Sequence, residues 1–154
     1  MLASPAPCVP APFANRSGRA KLNLVASSLP VLVVDDQAPF RTAAKAVLRR
    51  ADGFELVGEA SSGAEAVTLA DELEPALVLM DINMPDMNGI EATRRIVAAH
   101  PQTVVILLST YELADLPSDA VTSGARAYVH KERLAADTLR RLWEDRDSGV
   151  FASH

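Results

Sequence analysis

Residues 76–101 read ALVLMDINMPDMNGIEATRRIVAAHP, and their reading decides the fold. ALVLM is short and wholly apolar, as a strand buried on both faces is. It stops abruptly on an acid, Asp81. A polar loop containing Pro85 and Gly89 follows, and GIEATRRIVAAH then reads as a helix closed by Pro101. A buried strand, a loop and a helix make one unit of a parallel sheet.

The unit recurs on both sides. Upstream, PVLVV (30–34) is another β-branched strand, ending on Asp35-Asp36. The helix after it carries Phe40, Ala43, Ala44, Val47, Leu48 and Ala51 on one stripe, with Pro39 in its first turn and Gly53 at its stop. FELVGEA (54–60) is a strand, and SSGAEAVTLADELEP (61–75) a helix capped by Ser61 or Ser62. Downstream come the strand QTVVILLST (102–110) and a short, weaker helix between 112 and 123 with Pro117 inside it or starting it. The strand ARAYVH (125–130) and the helix LAADTLRRLWEDR (134–146) complete the series. The pattern is α/β: a doubly wound, five-stranded parallel sheet with helices on both faces and right-handed crossovers.

The 154 residues suffice for one such domain plus a tail. The apolar share of 49% and charged share of 23% are those of a globular chain. A single cysteine, Cys8, excludes an intramolecular disulfide, so a reducing compartment is the default and a cytoplasmic location is expected. No apolar run approaches the roughly 18 residues that span a bilayer. The net charge of −5 argues against a protein that works by gripping nucleic-acid phosphates. Residues 1–34 hold Arg16, Arg19 and Lys21 and no acid, leaving 20 acids against 12 bases in the remainder. Residues 1–29, rich in proline, read as a disordered extension, 30–145 as the folded domain, and 146–154 as a polar tail.

In an open parallel sheet the ligand site lies beyond the carboxyl ends of the strands. Those ends carry Asp35-Asp36, Asp81, Ser109-Thr110 and Tyr128 through His130-Lys131, whereas the second strand ends blandly in Glu59-Ala60. Three converging carboxylates repel one another unless a cation joins them, and Mg²⁺ suits an oxygen-ligand site with open positions. A lysine and a hydroxyl opposite them suit an anionic group, and the whole set suits phosphoryl transfer to a carboxylate. Taken singly, an Asp-Asp pair is often a helix cap, Ser109 a strand-end hydroxyl and Lys131 a solvated lysine. Their conjunction at the right strand ends favours the site.

VLVVDD (31–36), LVLMDINMPDMNGIEATRRI (77–96), VVILLST (104–110) and GARAYVHK (124–131) together resemble the receiver domain of bacterial two-component response regulators, most nearly the LuxR/NarL type. The resemblance implies a flavodoxin-like strand order 2-1-3-4-5 and a phosphoacceptor that signals, not an enzyme of the ordinary kind. It implies Asp81 as the phosphoacceptor, with Mg²⁺ held by Asp35, Asp36, Asp81 and the backbone carbonyl of Asn83. Ser109, with Thr110 as the alternative, and Lys131 would bind the phosphoryl group. Ser109 and Tyr128 would form the switch, and Met84-Pro85 and Gly89 would shape the loop, Gly89 by permitting a turn other residues resist.

Three features depart from the family pattern: Ser109 stands where threonine is commoner, Thr110 where a smaller residue is usual, and Glu132 where proline is frequent. The implied partners are a sensor histidine kinase or phosphotransfer protein, an output partner, and a second copy docking through the fourth helix, fifth strand and fifth helix. With about ten residues after the last helix, no direct DNA binding is expected, nor membrane association. Two other readings are a phosphorylation-independent interaction module of the same fold and a haloacid-dehalogenase-type phosphatase. The phosphatase needs an acid two residues after its nucleophile, where this chain has Asn83.

Overall fold

The computed structural model describes residues 28–148 and 151–153. The expected extension over 1–29 lies outside the described residues except for Ser28 and Leu29, and Leu29 belongs to the first strand. In chain order the elements are β1 (Leu29–Val34), α1 (Ala38–Arg50), β2 (Phe54–Ala60), α2 (Gly63–Leu73), β3 (Leu77–Asp81), α3 (Gly89–Ala99), β4 (Val104–Ser109), β5 (Ala127–His130), α4 (Ala136–Glu144) and β6 (Ala152–Ser153). The sheet order is β2-β1-β3-β4-β5-β6, parallel at every pairing. The expected 2-1-3-4-5 order is present, and the sheet is extended by one short strand from the tail.

The fully apolar strands are central because both their faces are covered. Leu32, Val34, Val78, Met80, Val105 and Leu107 face one layer with Ala66, Ala70, Ile90 and Ile96 of α2 and α3. Val31, Val33, Leu77, Leu79, Ile106 and Leu108 face the other, with Ala44 and Leu48 of α1 and Leu139 and Leu142 of α4. Burying each such valine, leucine, isoleucine or methionine stabilises the fold by about 1.5–3 kcal/mol. Trp143 completes the second layer's edge, meeting Phe54 edge to face at 6.3 Å.

Local chemistry sets the helix starts. Ser62 Oγ accepts from the Glu65 N–H at 3.1 Å while Glu65 Oε1 accepts from the Ser61 N–H at 2.8 Å, a capping box shifted by one residue. Asn88 Oδ1 caps α3 by accepting from the Glu91 N–H at 2.9 Å. Gly53, at φ +94°, ends the turn after α1 in a conformation that only glycine enters freely.

The helix expected between 112 and 123 is not an α-helix. Two 3-10 turns replace it, Leu113–Asp115 and Ser118–Ala120. Pro117 is the reason: it has no N–H to continue a helix, and it holds Leu116 extended at φ −68°, ψ 132°. The segment expected as the fourth helix is therefore two short turns, with Leu113 and Val121 more than half exposed. The tail expected over 146–154 is also partly structured. Ala152–Ser153 pairs with Ala127–Tyr128, and Phe151 packs on the core.

Candidate metal centre

The chain reverses its order across the sheet between β1 and β3, and the acids leave the sheet there. Val34 is in register with Met80, so Asp35 and Asp81 emerge side by side. One carboxylate oxygen from each of Asp35, Asp36 and Asp81 lies within 4.8 Å of the others. Asp35 is wholly buried and Asp81 is 3% exposed, while Asp36 is exposed.

Lys131, in the 3-10 turn that follows β5, reaches into this cluster. Its ammonium stands 2.6 Å from Asp35 Oδ2 and 3.3 Å from Asp81 Oδ1. It also rests 4.6 Å above the centre of the Phe40 ring, a cation–π contact that steadies it. Burial works against the lysine's charge, but the Asp35 contact and the charges of Asp81 and Asp35 outweigh it and raise its pKa. Asp81 moves the other way from an ordinary carboxylate. Burial and then the neighbouring charge of Asp35 lift its pKa from 3.8 to about 6, against the pull of Lys131.

The cluster passes a test of fit for a divalent cation. Asp35 Oδ1 accepts from the Gln37 N–H at 2.8 Å, and buried Oδ2 has only the Lys131 ammonium, at 2.6 Å, which Asp81 shares. Three acids with only one lysine between them are hard oxygen donors short of positive charge, which is what Mg²⁺ takes.

A pocket of about 170 Å³ opens over the acids, lined by Asp36, Gln37, Asp81, Asn83, Ser109, Thr110 and Lys131. Ser109 is 1% exposed and its Oγ accepts from the Tyr111 N–H at 3.1 Å. Thr110 is exposed at the rim. Tyr128 lies behind Ser109, buried and turned inward. Its hydroxyl donates to the backbone carbonyls of Ser109, at 3.2 Å, and of Tyr111. His130 Nε2 meets the Thr110 carbonyl at 3.1 Å and its Nδ1 accepts from the Glu132 N–H.

The loop after Asp81 is shaped differently from expectation. Its left-handed residue is Asp86, at φ +69°, and Gly89 is not at positive φ. Gly89 is required instead by close approach, because a Cβ there would stand 2.0 Å from the Asp81 carbonyl oxygen. Pro85 lies in the same loop, between buried Met84 and Asp86.

Several residues around the site were not singled out in the sequence. Tyr111 donates its phenolic O–H to Asn83 Oδ1 at 3.3 Å, linking the loops after β4 and β3. Glu59, on the strand that reads as bland, pairs with Arg41 at 3.1 Å and Lys45 at 2.9 Å. The available signal was two bases spaced i, i+4 on α1 beside an acid near the end of β2.

Residues 31–142 match the model of the response regulator receiver domain. The chain is 41% identical over 109 residues to the transcriptional regulatory protein YdfI of Bacillus subtilis, covering 71% of this chain and 50% of that protein. It is 39% identical over 114 residues to the chemotaxis protein CheY of Listeria monocytogenes, covering 74% of this chain and 95% of that one. A solved LuxR-family two-component response regulator from Aurantimonas is similar with a TM-score of 0.71 and 28% identity, over 82% of this chain and 89% of that chain. The chain spans about half the length of curated relatives such as YdfI.

Proposed function

The chain belongs to the response regulator receiver family, and from that premise we propose that it takes a phosphoryl group onto Asp81 and signals by a change of shape. The observation that carries this reading is the cluster of Asp35, Asp36 and Asp81 within 4.8 Å, with the Lys131 ammonium on two of its members. At neutral pH most Asp81 side chains are ionised, since the pKa stands at about 6. A carboxylate oxygen of Asp81 attacks the phosphorus of a phosphohistidine. The new P–O bond forms as the P–N bond breaks, and the imidazole leaves with its electron pair.

Asp35, Asp36, Asp81 and the Asn83 carbonyl would hold Mg²⁺, which supplies positive charge against the phosphoryl oxygens. Lys131, whose ammonium lies against Asp35 and Asp81, supplies the second positive charge. Ser109 offers its O–H to a phosphoryl oxygen, which draws it away from the Tyr111 N–H. The Ser109 carbonyl is also an acceptor for Tyr128, so a shift of Ser109 is felt by the β5 side of the domain. The donor is a sensor histidine kinase or a phosphotransfer protein. The responding surface is the segment of 3-10 turns with β5 and α4, which would meet an output partner or a second copy.

The test is incubation with acetyl phosphate and Mg²⁺. Wild type becomes a base-labile phosphoprotein, and Asp81→Asn does not. A wild type that stays unlabelled, or an Asp81→Asn protein that labels equally, removes this reading.

A further inference from the structure

Asp36 is the exposed member of the acid cluster, so its direction depends on the backbone that carries it. A side chain holds the peptide joining Asp35 to Asp36. Arg41 donates from its terminal guanidinium nitrogen to the Asp35 carbonyl at 2.6 Å. The same guanidinium donates through Nε to Glu59 Oε1 at 3.1 Å, and Lys45 secures the other Glu59 oxygen at 2.9 Å. Arg41 is only 20% exposed, and Glu59 is 33% exposed. The Lys45 hydrogen bond, against some cost of burial and with help from Arg41, holds the Glu59 carboxyl below its usual pKa. The chain of contacts therefore runs from β2 through α1 to the carbonyl between two members of the acid cluster.

We infer that Arg41, braced by Glu59, is a positioning residue for the divalent-cation site: it fixes the Asp35–Asp36 peptide and thereby aims the Asp36 carboxylate. This rests on the metal reading above. It also has a sign that charge alone does not share. Arg41 is a cation beside a cation site, so removing its charge should tighten metal binding if only Coulomb forces matter. If Arg41 acts by holding the peptide, removing it weakens binding. Groups that orient metal ligands are commonly worth 10- to 100-fold in affinity, and a single carbonyl contact belongs at the low end, about tenfold.

The experiment is calorimetric titration of the whole chain with MgCl₂ at near-neutral pH, for wild type, Arg41→Gln, Arg41→Lys and Glu59→Gln. Urea unfolding in EDTA gives each protein's stability without metal. Arg41→Gln is expected to raise the Mg²⁺ Kd about tenfold. Arg41→Lys keeps the charge but has one head for two acceptors, so it weakens binding too. Glu59→Gln shifts Kd in the same direction by less, because a neutral amide oxygen still accepts from Nε. Folded Arg41 variants with a wild-type Kd, or tighter binding in Arg41→Gln, overturn the inference even if their unfolding midpoints fall. If Arg41→Gln does not fold, Arg41→Lys, which leaves the charge unchanged, decides the matter: weaker binding supports the inference and a wild-type Kd overturns it. A wild type that binds no Mg²⁺ overturns both this inference and the metal reading beneath it, whereas binding unchanged by the variants overturns this one alone.

Discussion

Replacing Asp81 by asparagine should make the protein more stable at neutral pH in the absence of metal. The carboxyl's pKa of about 6 in the fold, against 3.8 in a free chain, means that the folded state holds a proton the unfolded state has released. Between those two values the folded state binds more protons, so stability falls as pH rises through the window and is lowest above it. The shift of roughly two units corresponds to about 3 kcal/mol. Asp81→Asn removes that cost, which is already net of the 3.3 Å attraction to Lys131, and the lysine keeps its closer partner Asp35. A net gain of about 1–3 kcal/mol above pH 7 is expected, shrinking towards zero by about pH 4, where wild-type Asp81 is already protonated. Urea unfolding in EDTA at about pH 4.5 and about pH 7.5, with the wild-type and variant values subtracted, isolates the Asp81 contribution from the rest of acid denaturation. Saturating Mg²⁺ should then narrow the gap, because a ligand of the folded state stabilises wild type more. A difference that does not change with pH, or a variant less stable at neutral pH, would refute the account of Asp81 as a carboxylate ionised at a cost.

Other substitutions probe the same framework. Lys131→Met leaves Asp35 and Asp81 without the ammonium, so the Asp81 pKa should rise from about 6 by a further unit or so, visible in a pH titration of its carboxyl carbon by NMR. Gly89→Ala drives a methyl to 2.0 Å from the Asp81 carbonyl oxygen, and a loss of about 3 kcal/mol in urea unfolding is expected, because the obstacle is backbone and cannot rotate away. Tyr128→Phe deletes the O–H shared by the Ser109 and Tyr111 carbonyls and should cost about 1–2 kcal/mol; an unchanged unfolding midpoint would show that this contact does not hold β5 to the loop after β4.

Much of this was legible along the chain because the signals are local. PVLVV, ALVLM and VVILL are uniformly apolar because both faces of each strand are covered, and each ends where polarity returns, at Asp35, Asp81 and Ser109. The helix expected over 112–123 failed on a local conflict that was visible but undecided: Pro117 could start a helix or break one, and the extended conformation it imposes on Leu116 broke it. The tail looked polar throughout, and pairing of Ala152–Ser153 with β5 is a long-range event with no pattern of its own in two residues.

By itself, then, the sequence determined which segments are strands and helices, which strand ends carry acids, and that those ends belong to one receiver family. Those properties depend on periodicity and on residues a few positions apart. Only the tertiary structure decided that Gly89 answers to a carbonyl eight residues away and that Asp86 takes the left-handed turn. It also decided that Glu59, Arg41 and Asp35 form one chain of contacts. Those facts depend on which backbones approach one another once the layers pack, and spacing along the chain does not record that distance.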